Sequence, residues 1–166
     1  MNNREQTCCF TGHRAEKLPW KLNELDPACL ALKRRLSDAL AALYDAGYRH
    51  FICGMATGAD LYFGEAVVAL RQERPDVTLE AAIPYDGQAA QWPAALKKRY
   101  FRLAEECDER TILHAVYTPT CMMERNRYMV DRSSLLLAVY NGTAGGTQST
   151  LLYAMRAGIE IVRLDI

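Results

Sequence analysis

The sequence predicts an α/β fold, a Rossmann-like three-layer sandwich with a mainly parallel sheet of about six strands. Three observations carry this expectation. Short apolar runs alternate with longer segments of helical period along the chain. Each helical segment supplies the crossover that a parallel strand pair requires. Glycines, hydroxyls and charged groups collect after the apolar runs, whereas the preceding connectors, such as DAGYRH and RAGIE, are ordinary.

The first apolar run is Thr7 to Thr11. Asp26-Pro27 then has the form of an N-cap followed by proline at the first helical position. Leu30, Leu32, Leu36, Leu40 and Leu43 follow at helical spacing, and Gly47 stops the helix. His50 to Cys53 is the second strand. Asp60 to Arg74 is helical, with Leu61, Ala66, Val67 and Leu70 as its apolar stripe and Pro75 as its stop. Thr78 to Ile83 is the third strand, a helix follows over about 89–107, and Thr111 to Val116 is the fourth strand. Residues 121–133 read as a helix and Ser134 to Tyr140 as the most apolar strand. Gln148 to Ala157 forms the last helix, closed by Gly158, and Ile159 to Leu164 the last strand.

A chain of 166 residues buries a sizeable core without staples, so one domain over 1–166 is expected. Lys+Arg and Asp+Glu are both 20, a net charge of zero that argues against a nucleic-acid partner gripped through its phosphates. No apolar stretch reaches the length of a membrane helix, and MNNREQTCCF lacks the apolar core of a secretion signal. A cytoplasmic protein without membrane contact is therefore expected. The six cysteines form no CxxC pair and no Cys/His set with zinc spacing, so no metal is expected. Cys8, Cys9 and Cys53 read as small buried hydrophobes.

In an open parallel sheet, ligands bind beyond the carboxyl ends of the strands. Those ends carry TGHR (11–14), GMATGAD (54–60), PYDG (84–87) and NGTAGGT (141–147). Glycine there admits positive φ and close ligand approach. A helix N-terminus adds free N–H donors and positive partial charge. Two such starts face the rim, at Thr57-Gly58-Ala59 and at Gly145-Gly146-Thr147. Together they suggest an anion site, although neither is a P-loop and GxGxxG is missing after the first strand.

His13 is the histidine expected to face a ligand, and Arg14 suits bidentate contact with phosphate. Asp60 either caps its helix or accepts from a ribose hydroxyl. His50 and His114 read as structural. Arg125, Arg127 and Arg132 read as a solvated face, as do Lys97, Lys98, Arg99 and Arg102. Tyr85, Trp92 and Tyr117 read first as packing residues, with base stacking open to them if their loops fold over the rim.

The segments TGHRAEKLP, GMATGADLYFGEAV, RNRYMVDRSSLLLAVYNG and GGTQSTLLYA, in this order, resemble the bacterial YpsA-like family of the SLOG superfamily. That superfamily also contains the DprA and LOG proteins. The resemblance spans about Thr7 to Ile166. It implies a nucleotide or nucleotide-derived ligand, such as a nucleotide-sugar, at the glycine-rich rim, and a sensor rather than an enzyme. It implies ligand-binding roles for Thr11, Gly12, His13, Arg14, Gly54, Thr57, Gly58, Asp60, Asn126, Asn141, Gly145, Gly146 and Thr147. LOG hydrolases resemble PGGxGTxxE, whose glutamate serves glycosidic cleavage. Here Ala144 replaces the proline, and Thr150 stands near the carboxylate's place. A neutral hydroxyl does not substitute for that group. Asp60, Glu65 or Asp131 remain as alternative carboxylates for a phosphoribohydrolase, the competing expectation. Single-stranded DNA binding, as in DprA, is a third, and the charge balance disfavours it. Sheets of this class often pair through exposed helices, so a homodimer is compatible with the sequence, although no residue specifies it.

Overall fold

A computed structural model describes residues 3–166; the first two residues of the MNNREQTCCF stretch lie outside it. Six parallel strands alternate with five α-helices: β1 (Thr7–Gly12), α1 (Pro27–Asp45), β2 (His50–Cys53), α2 (Ala59–Glu73), β3 (Thr78–Ile83), α3 (Ala94–Glu106), β4 (Glu109–Ile112), α4 (Cys121–Asp131), β5 (Leu135–Tyr140), α5 (Gly146–Ala157) and β6 (Glu160–Asp165). The spatial order is β4-β3-β2-β1-β5-β6. The chain builds outward from β1 to β4, then crosses back to place β5 on the other side of β1. This creates a topological switch point between the carboxyl ends of β1 and β5.

Alternation along the strands divides the core in two. Phe10, Phe51, Leu79 and Leu137 face one layer with Leu32, Leu36, Leu40, Phe63 and Leu103 of α1, α2 and α3. Cys9, Ile52, Ala82 and Leu136 face the other, with Met129 and Val130 of α4 and Leu151 and Ala154 of α5. Both faces of the central sheet are covered, which is why β1, β2 and β5 are buried almost throughout and read as nearly continuous apolar runs. All six cysteines are buried free thiols. Among the described residues no helix is long and apolar enough to cross a membrane.

The local signals act as expected in α1. Asp26 Oδ1 accepts from the Ala28 N–H at 2.8 Å, Pro27 opens the first turn, and Gly47 follows the helix at φ +107°. Two boundaries shift. The helix expected from about residue 89 starts at Ala94: residues 85–92 form successive turns, and Pro93 drives Trp92 out of helical backbone. The fourth strand occupies Glu109–Ile112 instead of Thr111 to Val116. It is an edge strand with β3 as sole neighbour, and β3 ends at Ile83, opposite Ile112. Beyond that point Leu113 N–H reaches Ile83 O at 3.0 Å and Asp86 N–H reaches His114 O at 2.9 Å, but Pro84 interrupts the ladder. His114 consequently lies outside the strand, where its Nε2 meets Glu124 Oε2 at 2.8 Å. His50 is structural as expected, between Thr78 Oγ1 at 2.7 Å and Glu80 Oε1 at 2.9 Å.

Candidate functional site

At the switch point, the end of β1 and the segment 13–17 that follows it lie against the segment 141–145 that leads into α5. Thr11, Gly12, His13, Arg14, Asp60, Asn126, Gly145, Gly146 and Thr147 line one cavity of about 320 Å³. Each was singled out in the sequence, and they come from β1, α2, α4 and the start of α5.

The glycine-rich loop shapes this wall. Gly145 adopts φ +146° and ψ −161°, backbone closed to other residues, and no side chain caps α5. Ser149 N–H reaches Gly145 O at 3.0 Å. Among the described residues the N–H groups of Gly146, Thr147 and Gln148 have no acceptor. These are the orphan donors of a helix start, carrying the positive end of its dipole. A Cβ on Gly146 would meet nothing within 4 Å, so this backbone is bare toward the cavity. Thr150 takes no part: it is buried, and its hydroxyl donates to Gly146 O at 2.9 Å.

Lys17 completes the wall, and the sequence reading missed it. Its Nζ donates to Ala144 O at 2.7 Å and would lie 2.6 Å from a Cβ on Gly145. The ammonium thus sits over the glycine loop. Its signal was present in the TGHRAEK segment, but nothing local showed that this segment reaches a loop 127 residues away. Arg14 is exposed, with Nη2 3.6 Å from Met122 Sδ, and borders both this cavity and the next.

His13 is buried, and its Nε2 accepts the Asn141 N–H at 3.0 Å. The imidazole therefore ties β1 to the β5 loop in its Nδ1–H form. Burial and the nearby Lys17 charge hold its pKa below the usual 6.5. Protonation at Nε2 would break the tie, and the neutral form binds fewer protons than the unfolded chain. Its stabilising effect is therefore present above the ordinary histidine pKa and lost as pH falls. An NMR titration is expected to place the His13 midpoint below about 6.5, and Lys17→Ala to raise it. A wild-type midpoint at or above the unperturbed value contradicts this arrangement. Asn141 itself braces the loop: its Oδ1 accepts from Thr143 N at 3.0 Å and Thr143 Oγ1 at 2.6 Å.

The second glycine-rich start is closed. Gly58 (φ +78°) packs under the 13–15 segment, and Ala59 N–H is taken by His13 O at 3.1 Å. This turn supports the first loop and offers no bare amide at Ala59. Gly12 also serves packing, since its Cβ would meet Ala59 Cβ at 2.6 Å. Thr57 Oγ1 accepts from Ala15 N at 3.4 Å and borders the neighbouring cleft.

Arg125 corrects the expectation of a solvated face. It is buried, and its guanidinium donates to the carbonyls of Gly54 and Ala82, while its Nε donates to Asn126 Oδ1 at 2.8 Å. A Cβ on Gly54 would lie 2.8 Å from Arg125 Nη1 and 2.9 Å from Asp60 Oδ2, so glycine makes room for this pair. Asp60 Oδ2 also accepts from Ala56 N at 3.0 Å. Burial raises the Asp60 pKa, opposed by Arg125, the Ala56 N–H and Arg14. Arg99 departs from the solvated reading as well: it is partly buried and forks onto Glu65 and Glu24.

Two carboxylate candidates lie elsewhere. Glu65 is held by Arg99 at 2.6 and 2.8 Å between α2 and α3, because its place on α2 faces α3. Asp131 ends α4 at the opposite end of the sheet, beside the strand starts, accepting from Tyr153 OH at 2.7 Å. Each lies five positions beyond Asp60 or Asn126, about 140° around its helix, which rotates it off the rim.

A larger cleft of about 580 Å³ adjoins the first and shares Arg14, Glu16, Ala56 and Met122 with it. Tyr85, Trp92 and Gln88 line it. Tyr117 is exposed and meets Tyr85 edge-on, centroids 5.5 Å apart. The arrangement is bipartite, with bare amides and a lysine at one end and aromatic walls at the other.

Comparison with known proteins matches the sequence model of the YspA SLOG family to residues 8–160. The uncharacterized SPbeta prophage-derived protein YoqJ of Bacillus subtilis is 29% identical over 154 residues, covering 84% of this chain and 90% of that protein. The UPF0398 protein YpsA of Bacillus subtilis is 26% identical over 129 residues, covering 76% of this chain and 72% of that protein. Among solved structures, DNA processing protein A (DprA) from Streptococcus pneumoniae aligns with a TM-score of 0.63 at 14% identity, over 96% of this chain and 50% of that one. DprA from Helicobacter pylori, solved for its single-stranded DNA binding mode, gives 0.63 at 13% identity, over 96% of this chain and 65% of that one. The likeness to both is one of fold, and the chain spans half to about two thirds of their length.

Proposed function

The chain belongs to the YspA SLOG family, and on that premise we propose that it binds a nucleotide-derived metabolite as a sensor. The phosphate rests on the α5 N-terminus and the base in the adjoining aromatic cleft. One observation carries this reading: Gly146 and Thr147, whose amides at the start of α5 are bare, border a cavity that Lys17 and Arg14 also line. A phosphate there gains the helix dipole, up to about 2 kcal/mol in a partly buried setting. It also gains charge-assisted hydrogen bonds from amides that lose no other partner. The 580 Å³ cleft lined by Tyr85 and Trp92 has the size and character to accept a base.

Gly146→Asp tests this without disturbing the fold. Its Cβ points into open space, and an acidic residue in the first turn of a helix is favourable. The variant is expected to keep wild-type stability and to weaken ligand binding at least about tenfold, a difference of about 1.4 kcal/mol. Thermal-shift and calorimetric titration with ATP, NAD, ADP-ribose and cyclic dinucleotides provide the measurement. If no compound shifts the wild type more than Gly146→Asp, the reading fails.

A second reading, cleavage of an N-glycosidic bond, rests on Asp60. It is a buried carboxylate on the cavity wall, with burial raising its pKa. Chromatography of the same incubations for free base separates the two, since a sensor leaves its ligand intact. The DNA reading has less support, because the net charge is zero.

A further inference from the structure

At the end of the sheet away from the glycine-rich rim, β2, β3 and β4 place a polar island on the face that α4 covers. The register sets His50 beside Thr78 and Glu80 beside Glu109, so these side chains share one face. His50 and Glu80 are buried, Glu109 is exposed, and one donor atom from each lies within 4.8 Å of the others. They border a cavity of about 340 Å³.

We propose that His50, Glu80 and Glu109 form a binding site for a divalent transition metal ion of the zinc type. One imidazole and two carboxylates make a mixed N/O donor set that suits such an ion. The His50 Nε2 to Glu80 Oε1 separation is 2.9 Å. Two ligands at the usual metal distances of about 2.0–2.1 Å stand about 2.9–3.4 Å apart across a coordination edge. Glu109, on the edge strand β4, brings its carboxylate oxygen within 4.8 Å of the other two donor atoms.

The surrounding groups already orient the ligands. Thr78 Oγ1 engages His50 Nδ1 at 2.7 Å, which leaves Nε2 as the nitrogen directed at the carboxylates. Glu80 Oε2 receives Tyr128 OH at 2.6 Å and Thr111 Oγ1 at 3.0 Å, which fixes its other oxygen toward His50. Outer partners of this kind raise metal affinity. The charge balance points the same way, since two carboxylates face one imidazole. The arginines bordering the cavity are directed elsewhere: Arg4 Nε donates to Asp131 O at 3.2 Å, and Arg132 stacks 3.8 Å over the Tyr128 ring. An ion would join three strands and clamp the short edge strand β4. The cavity would leave room for water or a further ligand on the metal. The site does not depend on the nucleotide reading.

The test uses the whole protein, dialysed against a chelator and titrated with Zn²⁺ and with Co²⁺. One equivalent is expected to bind and to raise the melting temperature. The Co²⁺ spectrum is expected to lack a thiolate charge-transfer band, which separates this site from the cysteines. Because Glu109 is exposed, Glu109→Gln leaves the core intact. It is expected to keep the metal-free melting temperature and to lower affinity at least about tenfold. Absence of uptake, equal uptake by Glu109→Gln, or a thiolate band would each overturn the proposal.

Discussion

Gly58→Val is expected to cost more than about 3 kcal/mol of folding stability, read from the midpoint of urea unfolding. Two penalties add. At φ +78° a β-branched residue occupies backbone that glycine alone visits freely. A Cβ there would also lie 2.6 Å from Ala15 N, 2.8 Å from Arg14 C and 2.8 Å from His13 O. All three are backbone atoms, so no side chain can rotate away, and the 13–15 segment must move off α2. That motion also breaks the Ala59 N–H to His13 O bond. Gly142→Ala is the matched control. It has positive φ, +84°, but no atom within 4 Å of the added Cβ, so it bears the backbone penalty alone, about 1 kcal/mol. Equal losses for the two variants would refute close packing of the Gly58 turn.

Arg125→Met is expected to destabilise the fold by about 2–4 kcal/mol, because it leaves buried acceptors without their donor and a buried carboxyl without a compensating charge. The methionine fills most of the volume but leaves the Gly54 and Ala82 carbonyls without their donor and Asp60 without the cation that most opposes its burial. The loss depends on pH, and its sign follows from Asp60. Burial already raises this carboxyl above the ordinary carboxylate range, and removing Arg125 raises it further. A folded state that holds the proton more tightly than the unfolded chain loses stability as pH rises. The deficit of Arg125→Met is therefore smaller near pH 4 than near pH 7. Adding Asp60→Asn should restore part of the loss, because the uncompensated charge is then gone. The cycle of single and double variants should show a coupling of at least about 1 kcal/mol. Strict additivity would mean that the two groups do not sense one another.

Much of the candidate site was legible because its pieces are local. TGHR, GMATGAD and NGTAGGT each follow an apolar run, and strand polarity places all three at one end of the sheet. Roles within the site were harder to read. Gly12, Gly54 and Gly58 looked like places for a ligand to approach, yet each makes room for protein: Ala59, the Arg125–Asp60 pair and the 13–15 backbone. Glycine signals close approach in either case, and only the third dimension shows what approaches. Arg125 looked solvated because its neighbours in sequence are polar. It turns inward because the carbonyls of Gly54 and Ala82 need a donor there. Thr111 to Val116 read as a strand from its apolar ends, but an edge strand stops where its partner stops.

By itself the sequence determined the alternation of strands and helices, the parallel sheet and the rim on which the unusual residues gather. These follow from periodicity, caps and turn chemistry, which act between near neighbours. Tertiary structure alone decided that β5 returns to lie beside β1. That return sets Lys17 and His13 against a loop more than 120 residues distant, leaves the α5 amides bare and closes the start of α2. Strand order is a property of the whole sheet, governed by how crossovers bury both faces together. No local pattern encodes it.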